Sequence, residues 1–494
     1  MSLQSFGYFG FLLVVAAVYL HLPQRVQPRF LLAASWLFYA MAAPGALPLM
    51  LAVALGTWGC GLALQGPHGK VALRAGVLGS LGVLALFKYG AAIQGILPLP
   101  LPPFAKLLGL SYYSFTAIAY LVDAARGDCE VERDFFHYAL FLNFFATVTQ
   151  GPICRAGDLL PQLKAEQRFD AARLTAALRL FALGLFKTVA VSDVLGVLTG
   201  QVLGHYQSYG GPMLLVGVLG YTLQLYFNFS GYSELARATG LVLGLQIPEN
   251  FKTPFYATNF SGFWSRWHIS LSSWLQDYLF MPLAWADTSR LTGGKLPRLP
   301  VEVCVFLVFF ASGFWHGNTL PFVVWGLLQA LYRVGEELIH RRFGKPKKKA
   351  PAKVLWAKRA GVFVLWCFGM VFFSLGMQGG TVADCFAYLA GCAAGWSPAR
   401  FEQELYSVIY TGFYANPIMV AGYYAFLALV LVLAFWLDHR RNFVHRNRPA
   451  EVALAAEQHR WVLYYLLVCC IWVGYIMQSG GFGGAAGFGM YANF

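Results

Sequence analysis

Between Val301 and Tyr332 the chain reads VEVCVFLVFFASGFWHGNTLPFVVWGLLQALY, two apolar runs joined by Gly313-Phe314-Trp315-His316-Gly317-Asn318. The first run, Val301 to Ser312, is roughly 12 residues, or about 18 Å as a helix. What that length means depends on the surrounding solvent, and composition decides it. With 58% hydrophobic and 12% charged residues, there is too much apolar sequence for a water-soluble core, and the chain reads as a polytopic membrane protein. A bilayer's hydrocarbon core is about 30 Å thick, so the first run does not cross it alone. The break at Gly313, Gly317 and Pro321 is therefore expected at membrane depth, where irregular backbone survives only buried in protein or lining a cavity. His316 sits in that break. An ionisable side chain at such depth is a functional hypothesis by default. The alternative is a histidine at a membrane surface, or one that hydrogen-bonds a neighbouring helix.

The apolar runs add up to roughly 11–13 membrane segments, some short or re-entrant, so the expected fold is all-α. A net charge of +14 resembles a nucleic-acid signal. Cytoplasmic loops of membrane proteins collect Lys and Arg, however, and that accounts for most of it; no nucleic-acid partner is expected. The nine cysteines show no metal-ligand spacing and mostly occupy apolar runs, as small buried hydrophobes do. Cys385 and Cys392 are a pair that an oxidising side would permit to join. No Lys or Arg precedes the first apolar run and no cleavage site is clear, so that run reads as a retained span.

In chain order, Phe6 to Leu20 is the first span, and the basic loop PQRVQPR from Pro23 puts the N-terminus outside. Phe30 to Leu64 is a helical hairpin turning near Pro44-Gly45. Val71 to Ile93 leads to the outer loop LPLPLPP, Leu97 to Pro103. LGLSYYSFTAIAYLVDAARGD from Leu108 ends inside. Phe135 to Val148 has cytoplasmic flanks on both sides and reads as a re-entrant or surface segment. Leu174 to Leu203 crosses outward. Lys187 and Asp193 interrupt it at a spacing of i, i+6, which is no same-face ion pair; Lys187 is expected to snorkel. Pro212 to Phe229 returns inside, and Glu234 and Arg237 follow at i, i+3. FWSRWHISLSSWLQDYLFMPL from Phe263 places Trp264, Trp267, His268, Leu271, Leu275 and Tyr278 on one helical stripe, a pattern suited to an interfacial helix. Basic residues flank the Val301–Tyr332 hairpin on both sides, so it is expected to enter and return, with His316 near its tip. Ala360 to Met377 goes out, Gly379 to Asn416 is an outer stretch with room for surface helices, Pro417 to Leu437 comes in and Trp461 to Met477 goes out. Residues 478–494 form an extracytoplasmic tail. With no internal repeat or long linker, residues 1–494 read as one membrane domain.

No phosphate loop, dinucleotide fingerprint or metal-binding helix motif is present. An intramembrane histidine with Ser, Asn and Arg nearby suits proton abstraction from a hydroxyl, and histidine titrates near working pH. His268 is a second candidate. Its plainer reading is an interfacial histidine that caps or hydrogen-bonds.

The run FNFSGYSELARATGLVLGLQIPENFKTPFYATNFSGFWSRWHISLSSWLQDYLFMPL, followed by GFWHG, resembles the membrane-bound O-acyltransferase family. It is most similar to the bacterial branch that holds the alginate O-acetyltransferase membrane subunit and the teichoic-acid D-alanyl transferase. LSYYSFTAIAYLVD, FFATVTQGPICRAGDLLPQL and GLFKTVAVSD also match that branch, so the resemblance runs from about Ser111 to Leu338. It implies a ring of helices around a thin central funnel, a thioester donor docking from the cytoplasm, and an acceptor hydroxyl on the other side. Carried over by position, His316 of FWHG resembles the catalytic histidine. His268 of RWHIS resembles the second signature histidine, with Arg266, Trp267 and Asp277 around it. Glu249 and Asn250 of PENF, and Ser230 and Tyr232 of NFSGYS, match motif positions and are taken as structural.

Bacterial members and their small partners often end in a tail resembling Phe-x-Tyr-x-x-Phe. Here Tyr491 and Phe494 match, and Gly489 stands where Phe is expected. A phenolic ester is a reactive carrier, so Tyr491 is a candidate relay; the plainer reading is an aromatic tail packed at the interface. The resemblance thus implies an O-acyltransferase of a bacterial cytoplasmic membrane. It would move acetyl from acetyl-CoA, with no bound cofactor, to an exported polysaccharide or cell-wall glycan with an extracytoplasmic acyltransferase as partner. D-alanyl transfer from an acidic carrier protein is the alternative. The basic loops at Arg341 to Lys358 and His439 to Arg448 fit either carrier docking or the positive-inside rule. A transporter or flippase would also use broken helices and a buried histidine.

Overall fold

The computed structural model describes residues 2–96, 108–289, 298–344, 350–410 and 416–478. Every regular element among them is helical. The N-terminal part contains α1 (Phe6–Tyr19), α2 (Gln27–Ala42), α3 (Leu47–Ala63), α4 (Gly69–Ile96) and α5 (Leu110–Arg126). The short α6 (Phe135–Asn143) and α7 (Ala156–Lys164) follow, then α8 (Ala171–Leu185) and α9 (Val194–Gly204) joined by a π-helical stretch, Phe186–Asp193. The long α10 (Gly211–Val242) leads to three short helices, α11 (Phe260–Trp264), α12 (Ile269–Leu275) and α13 (Met281–Trp285). The remainder comprises α14 (Val301–His316), α15 (Leu320–Phe343), α16 (Ala352–Met377), α17 (Val382–Cys392), α18 (Pro398–Ser407), α19 (Pro417–His439), α20 (Ala450–Ala455) and α21 (Arg460–Met477).

Among the described residues, six helical stretches are long and apolar enough to cross a membrane: Gly69–Gly90, Ala171–Gly204, Gly211–Val242, Ala352–Met377, Pro417–Val444 and Arg460–Met477. Four shorter apolar helices, including Val301–His316, accompany them. A helix that is apolar all round belongs inside a bundle, and α5 is buried without a break from Leu110 to Leu121. Its start lies against the α6–α7 connection, where a Cβ on Gly109 would come within 2.0 Å of the Val148 carbonyl oxygen.

Helices α14 and α15 form an antiparallel hairpin. Arg341 of α15 pairs with Glu302 of α14, joining the open ends. The break is shorter than the sequence implies. Helix α14 continues through Gly313 to His316, and only Gly317 to Thr319 leave helical geometry. Gly313 serves packing instead. A Cβ on Gly326 would lie 2.3 Å from the Phe309 carbonyl oxygen and 3.1 Å from Gly313 Cα, so the two glycines let the helices meet backbone to backbone. Overpacking costs about 1–3 kcal/mol, and backbone has little room to yield. Gly326→Leu is therefore expected to lower the melting temperature in detergent, while Gly335→Ala on the same helix, where a Cβ meets open space, leaves it unchanged or raises it. Equal melting of the two variants would contradict the close approach.

Several expectations are corrected. Lys187 does not snorkel; it is buried, with Nζ 3.9 Å from Glu234 Oε1. Asp193 accepts from Gln4 at 3.3 Å and from Gln478 at 2.8 Å, which draws the start of the chain and the end of α21 to one side. The span expected to end at Phe229 continues as helix to Val242, because its Gly, Ser and Asn residues are buried between helices and do not form a loop. The single stripe from Trp264 to Tyr278 is interrupted by a turn, with His268 at φ 44° and ψ 54° between α11 and α12. Cys385 and Cys392 are free thiols. Seven positions apart on α17, they are about 10 Å distant along the axis, beyond disulfide reach.

Candidate functional site: a histidine pair in an aromatic cavity

His316 ends α14, about 24 Å of helix from Val301, and its side chain is half-buried. Gly317 is extended. The imidazole lies edge-on to Trp325 and Phe373, both with ring centroids at 5.0 Å, and 4.5 Å from Trp315. These neighbours come from α14, α15 and α16, so the hairpin and the next span together fix its position.

His268 arrives differently. The loop 245–253 runs beside the α11–α12 turn, and two backbone bonds tie them: Lys252 N–H to the Arg266 carbonyl and Ile269 N–H to the Asn250 carbonyl, both 2.9 Å. His268 takes the left-handed conformation at this junction, a region that non-glycine residues rarely occupy without a local constraint. Its ring packs edge-on against Phe229 at 4.7 Å. His268 Nδ1 lies 3.2 Å from Asn250 Oδ1. That oxygen also accepts from the Ser270 backbone N–H at 3.0 Å and the Ser270 hydroxyl at 2.9 Å. The Ser270 N–H is a donor by covalent structure, so the facing atom is the amide oxygen, and His268 donates through Nδ1. Its Nε2 is then the basic nitrogen.

Both histidines line one narrow cavity, with a volume of about 30 Å³ open to the centres of water-sized molecules. The other walls are Tyr112 of α5, Leu225 and Phe229 of α10, Trp264, Trp267, Leu271, Ser272 and Leu275 of the α11–α12 region, Ser312 and Trp315 of α14, Trp325 of α15, and Trp366, Met370 and Phe373 of α16. The lining is overwhelmingly apolar and aromatic, with the two imidazoles and two serine hydroxyls as convergent polar groups, the pattern of a ligand site. Five members of the expected stripe line it although their helix is broken, because the turn keeps Trp264, Trp267 and His268 on the same side as Leu271 and Leu275.

Arg266 and Asp277 lie outside this lining. Arg266 donates to Asn442 at 3.0 Å, and Asp277 pairs with Arg155 at 2.8 Å. Tyr232 bonds Ser2 at 2.9 Å. Tyr491 lies outside the described residues. Among the described residues no group of three or more His, Cys, Asp or Glu side chains is placed to hold a metal ion. Sequence reading missed Trp325, Trp366 and Phe373 as walls, and Lys88, whose ammonium lies 4.9 Å from the centroid of Trp315. It also treated Asn250 as structural, although its motif lies in the same matched run as the histidine signature.

Fold and cavity together define a class: a multi-pass membrane protein with an internal polar site shielded by aromatic side chains. The model of the membrane-bound O-acyltransferase family matches residues 131–378. A probable alginate O-acetylase AlgI of Pseudomonas fluorescens is 32% identical over 454 residues, covering 91% of this chain and 84% of that one. A peptidoglycan O-acetyltransferase of Helicobacter pylori is 30% identical over 268 residues, 49% of each chain. A teichoic acid D-alanyltransferase of Bacillus subtilis is 27% identical over 316 residues, 58% of this chain and 77% of that one. The chain belongs to the membrane-bound O-acyltransferase family and is an O-acyltransferase in contact with the lipid bilayer.

Proposed function

We propose that the protein takes an acetyl group from a cytoplasmic thioester, acetyl-CoA, and passes it across the cytoplasmic membrane of a bacterium to hydroxyls of an exported polysaccharide or cell-wall glycan. The observation that carries this reading is the meeting of His316 and His268 in one aromatic cavity. His316 acts as general base. The acceptor O–H gives its proton to the imidazole, the oxygen attacks the thioester carbonyl carbon, the C–S bond breaks, and the proton leaves with the thiolate. His268, with its tautomer set by Asn250, lines the same site. The aromatic walls keep water from the thioester and so limit hydrolysis. Family membership sets aside the transporter reading. The alginate O-acetylase likeness spans most of the chain and favours acetyl over D-alanine. The carrier-docking reading of His439 to Arg448 loses support, because Arg440 pairs with Glu457 at 2.9 Å and Arg441 with Glu249 at 2.7 Å.

In this reading residues 1–494 act as one domain with both ends outside, as the distribution of Lys and Arg supports. The tail leaves from Gln478, beside Gln4 and Asp193. Tyr491 is the first acceptor: its phenol oxygen forms an ester with the acetyl group, and an extracytoplasmic acyltransferase then moves the group to a polymer hydroxyl. Purified protein incubated with labelled acetyl-CoA is expected to carry label on a C-terminal peptide, and His316→Ala and Tyr491→Phe are expected to carry none. Label that persists at full level in Tyr491→Phe would remove the relay. Full polymer acetylation in cells expressing Tyr491→Phe would do the same.

A further inference from the structure

Asn250, the partner of His268, lies in a loop with no regular structure of its own. What holds that loop comes from far along the chain. Arg441 follows α19 in the π-helical stretch Arg440–Val444 and is 6% exposed. Its Nη2 donates to Glu249 Oε1 at 2.7 Å, and its Nη1 to the Phe251 carbonyl at 3.3 Å. The guanidinium therefore grips the residues on either side of Asn250. The next residue, Asn442, accepts from Arg266 Nη1 at 3.0 Å, holding the other strand of the turn two positions before His268. A residue that only neutralised Glu249 would need no bond to the Phe251 carbonyl.

We infer that Arg441 is a positioning residue for acyl transfer: its guanidinium clamps Glu249 and Phe251, this fixes Asn250, and Asn250 sets the tautomer and orientation of His268. The inference rests on the reading of His268 as a site residue. It also gives the C-terminal third of the chain a part in a site whose histidines lie within residues 131–378, the span of the family match. The two-pronged grip requires a planar fork, which lysine lacks.

The test uses full-length protein in detergent with ¹⁵N-labelled histidine. The His268 signal is assigned by its loss in His268→Gln. Wild type is expected to show His268 protonated on Nδ1. Arg441→Met and Arg441→Lys are expected to give a mixture of tautomers, and to lower kcat about tenfold, the scale of one orienting hydrogen bond, with KM for acetyl-CoA within about twofold. Arg441→Lys keeps a cation beside Glu249 and so remains informative where Arg441→Met fails to fold. Glu451→Gln is the control, because Glu451 pairs with Arg237 of the same charged cluster at 3.1 Å and meets the loop through Arg237, 3.4 Å from Glu249, rather than directly. It is expected to leave both readings unchanged. A single Nδ1-protonated signal in both Arg441 variants overturns the inference, as does equal scrambling in Glu451→Gln, or full transfer by His268→Gln. The tautomer signal needs no donor, so a wild type that transfers no acetyl counts against the proposed function and leaves the clamp to be judged by the spectrum.

Discussion

Replacing His316 by alanine is expected to lower acyl transfer by about 10²–10⁴-fold, the usual scale for loss of a positioned general base. The ring occupies the far tip of the hairpin and is fixed by Trp315, Trp325 and Phe373, so no nearby side chain of similar basicity can swing into its place without repacking three aromatic neighbours. A base used only as the acceptor oxygen attacks changes kcat while the KM for the thioester moves little. His316→Gln fills more of the space than alanine and separates lost chemistry from lost packing. Both variants should fall together in transfer, with the glutamine form melting nearer to wild type. His268→Gln is expected to cost less, because that ring already spends one nitrogen on Asn250. Transfer by His316→Ala within about threefold of wild type, a difference below 1 kcal/mol in barrier, would reduce the protein to a scaffold for another acylase.

The histidines were legible in the sequence for different reasons. His316 stood out because an apolar run too short to cross a membrane stopped at an ionisable residue, a conflict that an internal site resolves and that a histidine at a membrane surface would resolve equally. His268 was visible through its motif, but the helical stripe drawn through it was interrupted. Periodicity put Trp264, Trp267, Leu271 and Leu275 on one face, read as that of an interfacial helix; the same four residues line the cavity, and the left-handed turn at His268 was invisible to periodicity, since it depends on bonds to Lys252 and Asn250. Trp366 and Phe373 were illegible as walls: inside a uniformly apolar span, nothing local says which face meets a cavity. The same holds for charge. Lys187 read as a snorkelling lysine and the Arg440–Arg441 pair as ordinary loop charge, because their carboxylate partners lie on other helices. Glu234 and Arg237, at i, i+3, are a pair whose short-range spacing is legible in the sequence, and they do meet at 2.8 Å.

That pair is the centre of a buried ionic cluster. Substitution of Glu234 is expected to have the largest stability effect in the molecule. Glu234 lies 2.8 Å from Arg237, 3.9 Å from Lys187 and 3.8 Å from Arg441, and its side chain is 5% exposed. Arg237 also reaches Glu249 and Glu451 at 3.4 and 3.1 Å, while among the described residues Lys187 forms its ion pair with Glu234 alone. Removing one partner of a buried pair leaves an uncompensated charge and costs about 3–5 kcal/mol, more than the pair itself contributes over an apolar replacement. Glu234→Gln strands one lysine at once and weakens two arginines. Lys187→Met leaves Glu234 matched by the closer Arg237, so it should cost much less. Lys187→Met added to Glu234→Gln should recover part of the loss, because the stranded ammonium is then gone. Melting in detergent should therefore rank wild type and Lys187→Met above the double variant, and the double variant above Glu234→Gln. If Glu234→Gln melted with Lys187→Met, or if the two losses simply added, Glu234 would not be the hub, and the α8–α10 contact would owe its strength to apolar packing alone.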